Sequence, residues 1–196
     1  METNSLRQTI VGSRLLLKIP WRICWVSMVC ALTPIASNAQ TVFTSLAGFD
    51  GRNGFQTFAP LVQGTDGNLY GTTSDGGAND DGTVFRITPD GALTTIHSFD
   101  GTDGNNPAAG LLQGTDGYLY GTTDSGGAND DGTVFKISLG GELTTLHVFD
   151  GADGEGTFFG ALVQGTDGDL YGTTCFGGTN GNGIATDALR ASDQDG

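Results

Sequence analysis

Two loops hold the residues best suited to chemistry. In Asp75-Gly-Gly-Ala-Asn-Asp-Asp-Gly82 and Gly126-Gly-Ala-Asn-Asp-Asp-Gly132, the side chains of Asn79, Asp80 and Asp81, and of Asn129, Asp130 and Asp131, offer clustered hard oxygens of the kind Ca²⁺ takes. Gly77-x-Asn79-x-Asp81-Gly82 matches part of an EF-hand loop, but Gly77 stands where that loop needs its first carboxylate and Thr88 where it needs the bidentate Glu. The calcium nonapeptide of β-helices fails too, because the motif does not recur in tandem and Asn79 occupies a required glycine position. The competing reading assigns these side chains to turns, through local hydrogen bonds to the backbone. The third copy, with Asn180-Gly-Asn182, has no carboxylate there.

Other reactive types are sparse. His97 and His147 stand 50 residues apart in equivalent text, which predicts one per structural unit and favours packing or a hydrogen bond over a shared zinc or a Ser-His-Asp arrangement. Cys175 replaces Ser74 and Asp124 of the earlier copies and has no base indicated beside it. Tyr70, Tyr120 and Tyr171 recur in a Leu-Tyr-Gly triplet, where strand packing competes with an aromatic ligand platform. A glycosidase-like carboxylate pair is conceivable in so acidic a chain, but Asp66, Asp116 and Asp167 sit in repeated turns. Cys175, Glu142 and Glu155 are polar substitutions found in a single copy, and they form no recognisable constellation.

The elements that position these residues are repeats. Leu61-Val-Gln-Gly-Thr-Asp-Gly-Asn-Leu-Tyr-Gly-Thr-Thr73 returns from Leu111 and again from Leu162, steps of 50 and 51 residues. Phe-Asp-Gly falls at 49, 99 and 149. Within one copy four strand-like runs lie at Leu61 to Gln63, Asn68 to Thr73, Thr83 to Ile87 and Leu93 to Phe99, and Val42 to Leu46 reads as a further strand ahead of them. Thr65-Asp-Gly67 and Pro89-Asp-Gly91 punctuate the runs as tight hairpin turns, for which Asp-Gly supplies the positive φ angles. Four antiparallel strands recurring at this period predict an all-β fold of β-propeller blades, about 50 residues each, in preference to a β-solenoid. Both faces of such a blade pack on neighbours, so its strands should be apolar on both sides.

The chain supplies about eleven strands, somewhat under three blades, whereas propellers close with roughly four to eight. An incomplete array leaves two blade faces in water. If each would bury about four large apolar side chains, the forgone stabilisation is on the order of 10 kcal/mol per face, comparable with a whole domain's stability. The third copy keeps the pattern to Gly183, then changes to Ile184-Ala-Thr-Asp-Ala-Leu-Arg-Ala-Ser-Asp-Gln-Asp-Gly196. Residues 184–196 are therefore expected to mark a truncated or frame-shifted piece of a longer propeller, the alternative being a polar tail that caps the last strand.

Composition bounds the partners. The chain of 196 residues has 34 glycines, only 15% charged residues and a formal net charge of −14, and four of its eight basic residues precede residue 23. Such a surface repels phosphate backbones and anionic lipid, so nucleic acid is excluded as a partner and cations are favoured. Residues 1–39 read as a signal peptide: a basic region ending at Arg22, the apolar run Ile23 to Leu32, and Ser37-Asn-Ala39 before the cleavage point. Ten apolar residues fall short of a membrane span, which excludes membrane insertion after cleavage. Cys24 and Cys30 leave with that segment, so residues 40–183, the repeat region, retain Cys175 alone and form no internal disulfide.

The text Leu61 to Thr73, with Gly76-Gly77 and Gly82-Thr-Val-Phe85, resembles the bacterial GloVer tandem repeat of the choice-of-anchor proteins, over about residues 42 to 183. The resemblance implies an exported protein in the periplasm, outside the cell or on its surface. The expectation is a binding or surface-structural module without a required cofactor, Ca²⁺ apart, for a ligand such as a glycan or a cell-surface component. The alternative is a propeller enzyme of lyase or glycosidase kind, similar in fold to the streptogramin lyases, with its site at the central channel. Near-identical copies favour the module, because an active site demands residues unique to one blade.

Overall fold

The computed structural model describes residues 42–157 and 160–184. The signal segment 1–39 and the tail from residue 185 onward lie outside the described residues. Ten strands are formed among those described: β1 (Val62–Gln63), β2 (Leu69–Thr73), β3 (Thr83–Ile87), β4 (Leu93–Ser98), β5 (Leu112–Gln113), β6 (Leu119–Thr123), β7 (Thr133–Ile137), β8 (Leu143–Val148), β9 (Val163–Gln164) and β10 (Leu170–Tyr171). They make two four-stranded antiparallel meanders, β1-β2-β3-β4 and β5-β6-β7-β8, and a third sheet in which β9 pairs with β10. The two complete sheets share one register, Tyr70 opposite Arg86 and Tyr120 opposite Lys136, with a bulge between Val84 and Phe85 matched between Val134 and Phe135.

The hairpin turns differ in type from the sequence expectation. Gly64 N–H donates to the Asn68 carbonyl at 2.8 Å and Gly67 N–H to the Gly64 carbonyl at 2.9 Å, while φ is positive at Gly67 but not at Asp66. This is a right-handed turn closed by a glycine bulge, not a two-residue primed turn. Asp66 stays right-handed because its carboxylate accepts the Asn68 N–H from there, at 3.1 Å. Gly91 and Gly141 close the second turn of each sheet in the same way.

Strands β2, β3, β6 and β7 are buried on both sides, so no period-two alternation is visible in them. The register divides each sheet into a forward face, carrying Val62, Tyr70 and Val84, and a back face, carrying Leu61, Leu69, Phe85 and Ile87. Forward Tyr70 and Val84 pack with Phe99 against back-facing Leu111, Leu119, Phe135 and Ile137 of the next sheet. Tyr120 and Val134 repeat this with Phe149 against Leu162 and Leu170. Phe49 meets Phe85 edge-on at 5.0 Å as Phe99 meets Phe135 at 5.3 Å, so one aromatic link precedes each complete sheet.

Polar bonds reinforce the stacking. Thr65 N–H donates to Gln113 Oε1 of the next copy and Thr115 N–H to Gln164 Oε1, both at 3.0 Å. The starting positions of the three copies converge: a Cβ on Gly110 would lie 3.5 Å from Pro60 Cδ and 3.8 Å from Ala161 Cβ. First strands β1 and β5 approach one another there. Face-to-face four-stranded meanders with their first strands gathered to one line are the blades of a β-propeller, here two complete and one partial among the described residues.

The expected strand at Val42 to Leu46 is not formed. Among the described residues no sheet supplies it with a ladder partner, and a lone extended segment cannot satisfy its backbone as a strand does. It nevertheless keeps the place of an outer strand. The Leu46 carbonyl closes on Gly91 as the Ile96 carbonyl, from β4, closes on Gly141.

Candidate functional site

One end of the blades gathers the loops 74–82 and 124–132 with the connections that lead into each sheet. Phe55 bridges to Asp75, Asn105 to Ser125 and Glu155 to Phe176, always as an isolated antiparallel pair. Behind each bridge the backbone is held in one way: Gly77, Gly127 and Gly178 N–H donate to the carbonyls of Gly51, Gly101 and Gly151, at 2.8 to 2.9 Å. Gly76 and Gly126 admit no side chain, since a Cβ on either would lie within 2.9 Å of the opposing loop's backbone. Residues Gln56 and Asn106, which follow the bridge, take positive φ of 56° and 58°, and Gly156 does so at 62°.

The candidate calcium ligands lie at this end, with many of their oxygens engaged. Asp80, at φ 68°, accepts Gly76 N–H on Oδ1 at 3.0 Å, and Asp130, at φ 64°, accepts Gly126 N–H at 2.9 Å. Asn79 and Asn129 donate through Nδ2 to the carbonyls of Phe99 and Phe149, both at 2.8 Å. Asp81 Oδ1 accepts Asn105 Nδ2 of the next copy at 2.8 Å, and the Asp81 and Asp131 carbonyls accept the N–H groups of Asn106 and Gly156. Among the described residues no group of three His, Cys, Asp or Glu side chains is assembled around a common point.

Each histidine has an aspartate that sequence reading passed over. His97 Nε2 lies 2.7 Å from Asp103 Oδ2, and His147 Nε2 lies 2.7 Å from Asp153 Oδ2. The rings stand edge-on to Phe99 and Phe149 at 5.0 and 4.9 Å. Burial opposes the Asp153 charge, yet the backbone of the Asp150 turn and His147 together hold its carboxyl below the usual carboxylate range. The signal was present in the first copy, where Ala47 replaces the histidine and Asn53 the aspartate together. Asn53 Oδ1 still accepts the Asp50 N–H at 2.8 Å, as Asp103 Oδ1 accepts that of Asp100 at 3.1 Å. The carboxylate is thus required by the histidine and the turn by either residue.

At the opposite end the repeated tyrosines staple the Asp-Gly turns. Tyr70, Tyr120 and Tyr171 hydroxyls donate to Asp66, Asp116 and Asp167 at 2.8, 2.7 and 2.6 Å. Burial works against the Asp66 charge, but hydrogen bonds from Tyr70 and Asn68 outweigh it and lower its pKa; burial and the Asp66 charge raise that of Tyr70. These aspartates serve turns, as expected.

The side chains that differ between copies cluster at the bridges. Phe55 and Phe176 are exposed, at 53% and 57%, while Asn105, Asp75 and Ser125 are half-buried. Asp124 occupies the position of Ser74 and Cys175, and burial, followed by the charge of Glu155, raises its carboxyl above the usual range. Cys175 is a free, exposed thiol. Among the described residues no helix is long and apolar enough to cross a membrane.

No curated protein matches this chain. Among solved structures, virginiamycin B lyase from Staphylococcus aureus, in its selenomethionine form, is 16% identical with a TM-score of 0.41, covering 63% of this chain and 39% of its own. A catalytically inactive H270A form of that lyase with quinupristin gives 16% and 0.40, over 63% and 39%. A streptogramin B lyase gives 20% and 0.42, over 63% and 38%. This chain thus spans about two fifths of the length of those enzymes. A family model described as the Gloeobacter/Verrucomicrobia repeat matches residues 29–187. With that match over most of the chain, the protein belongs to the Gloeobacter/Verrucomicrobia repeat family.

Proposed function

We propose that this chain is an exported binding module that displays a different pair of side chains from each blade on one fixed backbone frame. The observation that carries this reading is the bridge. The pairs Phe55 and Asp75, Asn105 and Ser125, and Glu155 and Phe176 share a backbone geometry while their side chains change completely. The Thr-Thr pair before each loop, the Gly-Gly pair after the bridge, and Gly54, Gly104 and Gly154 just ahead of it are the same in all three copies, while Ser74, Asp124 and Cys175 change along with the bridge residues. Constant glycine and threonine support beneath variable residues, of which Phe55, Glu155 and Phe176 are exposed, is the design of a recognition surface, since loops on a rigid scaffold carry binding. Exposed phenylalanines beside amide and carboxylate groups suit a glycan, whose ring faces stack on aromatics while its hydroxyls take hydrogen bonds. The basic start, apolar run and Ser37-Asn-Ala39 of the N-terminal segment support export.

The test is retention of the protein on immobilised cell-wall polysaccharide. Saturable retention, lost in Phe55→Ala and Phe176→Ala with an unchanged melting midpoint, is the expected result. Retention indifferent to both substitutions would end this reading.

A second reading rests on Asp124 and Glu155, carboxylates found in one copy each. Burial and the neighbouring Glu155 charge raise the Asp124 carboxyl, the direction a general acid needs. Turnover of a polysaccharide that disappears in Asp124→Asn would favour the lyase or glycosidase alternative.

A further inference from the structure

Two of the three bridges hold the same pair of chemical groups with the sides exchanged. The first sets Phe55 of the connection against Asp75 of the loop, and the third sets Glu155 of the connection against Phe176 of the loop. Position changes while composition is kept. An aromatic ring beside a carboxylate is therefore what these two bridges share, whereas the second, Asn105 with Ser125, carries no charge.

The fold does not engage these carboxylates. At the same end Asp80 and Asp130 accept loop N–H groups, Asp81 accepts the Asn105 amide, and Asp103 holds His97. Among the described residues the side chains of Asp75, Glu155 and Asp124 have neither a hydrogen bond nor an ion-pair partner. The third bridge gathers its groups closely. A Cβ on Gly156 would lie 3.0 Å from Asp124 Oδ1 and 3.9 Å from Phe176 Cδ2, so a carboxylate and a ring flank the bare backbone that follows Glu155. Burial first, and then the Glu155 charge, raises the Asp124 carboxyl. A cation placed here would favour its ionised form.

Resting on the glycan-binding reading above, we infer that the ligand is an amino-sugar glycan with free, protonated amines. The phenylalanine takes the face of the sugar and the carboxylate beside it takes the ammonium, one amino sugar at the first bridge and one at the third. Asp124 and Glu155 together make the third the stronger site.

Calorimetric titration of the protein at about pH 6 and about 0.15 M salt compares glucosamine oligomers with the same oligomers N-acetylated, which keeps the length and removes the charge. The amine form is expected to bind at least ~10-fold tighter. Asp75→Asn and Glu155→Gln each lower that preference about 3-fold, while Glu142→Gln, an equal loss of charge at the turn end of the blades, leaves it unchanged. Melting midpoints verify folding, and Asp124→Asn replaces Glu155→Gln if the latter fails to fold. Equal binding of the two forms, lost in Phe55→Ala, would overturn this inference and leave the binding module standing. Binding of neither form overturns it as well, and the binding module falls with it only if retention on cell-wall polysaccharide is indifferent to Phe55→Ala and Phe176→Ala. A like loss in all three charge variants would reduce the preference to bulk attraction, and tighter binding of an oligolysine with as many amines would assign the surface to a cationic peptide; either result overturns the inference.

Discussion

Replacing Tyr70 by Phe deletes one hydroxyl and nothing else. The ring is fully buried and keeps its packing against the next blade, so the loss falls mainly on the 2.8 Å bond to Asp66, with a smaller part from the contact with Arg86. A hydrogen bond to a charged acceptor contributes roughly 1.5–3 kcal/mol net. The Asp66 carboxylate is exposed to water that replaces the hydroxyl, which brings the expected loss to about 1 kcal/mol, a fall of about 3–5 °C in melting midpoint for a domain of this size. Asp66→Ala is worse, about 2–3 kcal/mol, because it leaves the buried phenol without an acceptor and removes the cap on Asn68 N–H. The double variant should be little worse than Asp66→Ala, giving a coupling near 1 kcal/mol. The pH dependence has a definite sign. Asp66 is lowered in the folded state, so its contribution is complete above the unfolded carboxylate pKa of about 4 and is lost as pH falls through the folded value. Thermal melts from pH 7 to pH 3 should therefore show the gap between wild type and Tyr70→Phe closing below pH 4. A Tyr70→Phe protein as stable as the wild type at pH 7, or a gap that persists unchanged at pH 3, would refute the argument.

Gly121→Ala should destabilise by about 2–3 kcal/mol in a denaturant titration, because its Cβ would lie 2.5 Å from Phe135 Cζ and 2.8 Å from Leu111 Cδ2, whereas Gly117→Ala, in open space at φ 87°, should lose only about 1 kcal/mol. Gln113→Ala removes the acceptor of Thr65 N–H and should lower stability by about 1 kcal/mol, with hydrogen exchange at the Thr65 amide accelerating. Asp124 is raised in the folded state, so its ionised form opposes folding: Asp124→Asn should raise the melting midpoint at pH 7 and lose that advantage as pH falls through the carboxylate range. Because Gly76 N–H and Asn105 already occupy oxygens of Asp80 and Asp81, millimolar Ca²⁺ should leave the midpoint unchanged; a rise abolished by Asp81→Asn and Asp131→Asn would assign these loops to calcium instead.

The strand plan was legible because glycine and aspartate punctuate it so densely. The run Thr83 to Ile87 became β3 at the same bounds, and Leu93 to Phe99 became β4 with one residue fewer. What failed was context that lies beyond a strand's own text. Val42 to Leu46 has strand composition but no neighbour to pair with among the described residues, and composition does not reveal whether a ladder partner exists. The Asp-Gly dipeptide marked a turn but not its hand, since the choice was made by the Asp66 carboxylate reaching Asn68. His97 was expected to pack or to hydrogen-bond, and its partner was missed, because Asp103 belongs to the connection and only folding returns it to β4. The bridges escaped notice for a related reason. Positions 55 and 75 look merely unconserved among copies until the backbone sets them side by side.

The bond from each turn to the glutamine of the following copy points one way along the chain. A ribosome releases the turn long before the residue that completes it. Each newly emerged blade therefore waits on its successor, and assembly proceeds as a zipper whose open tooth always faces the growing end.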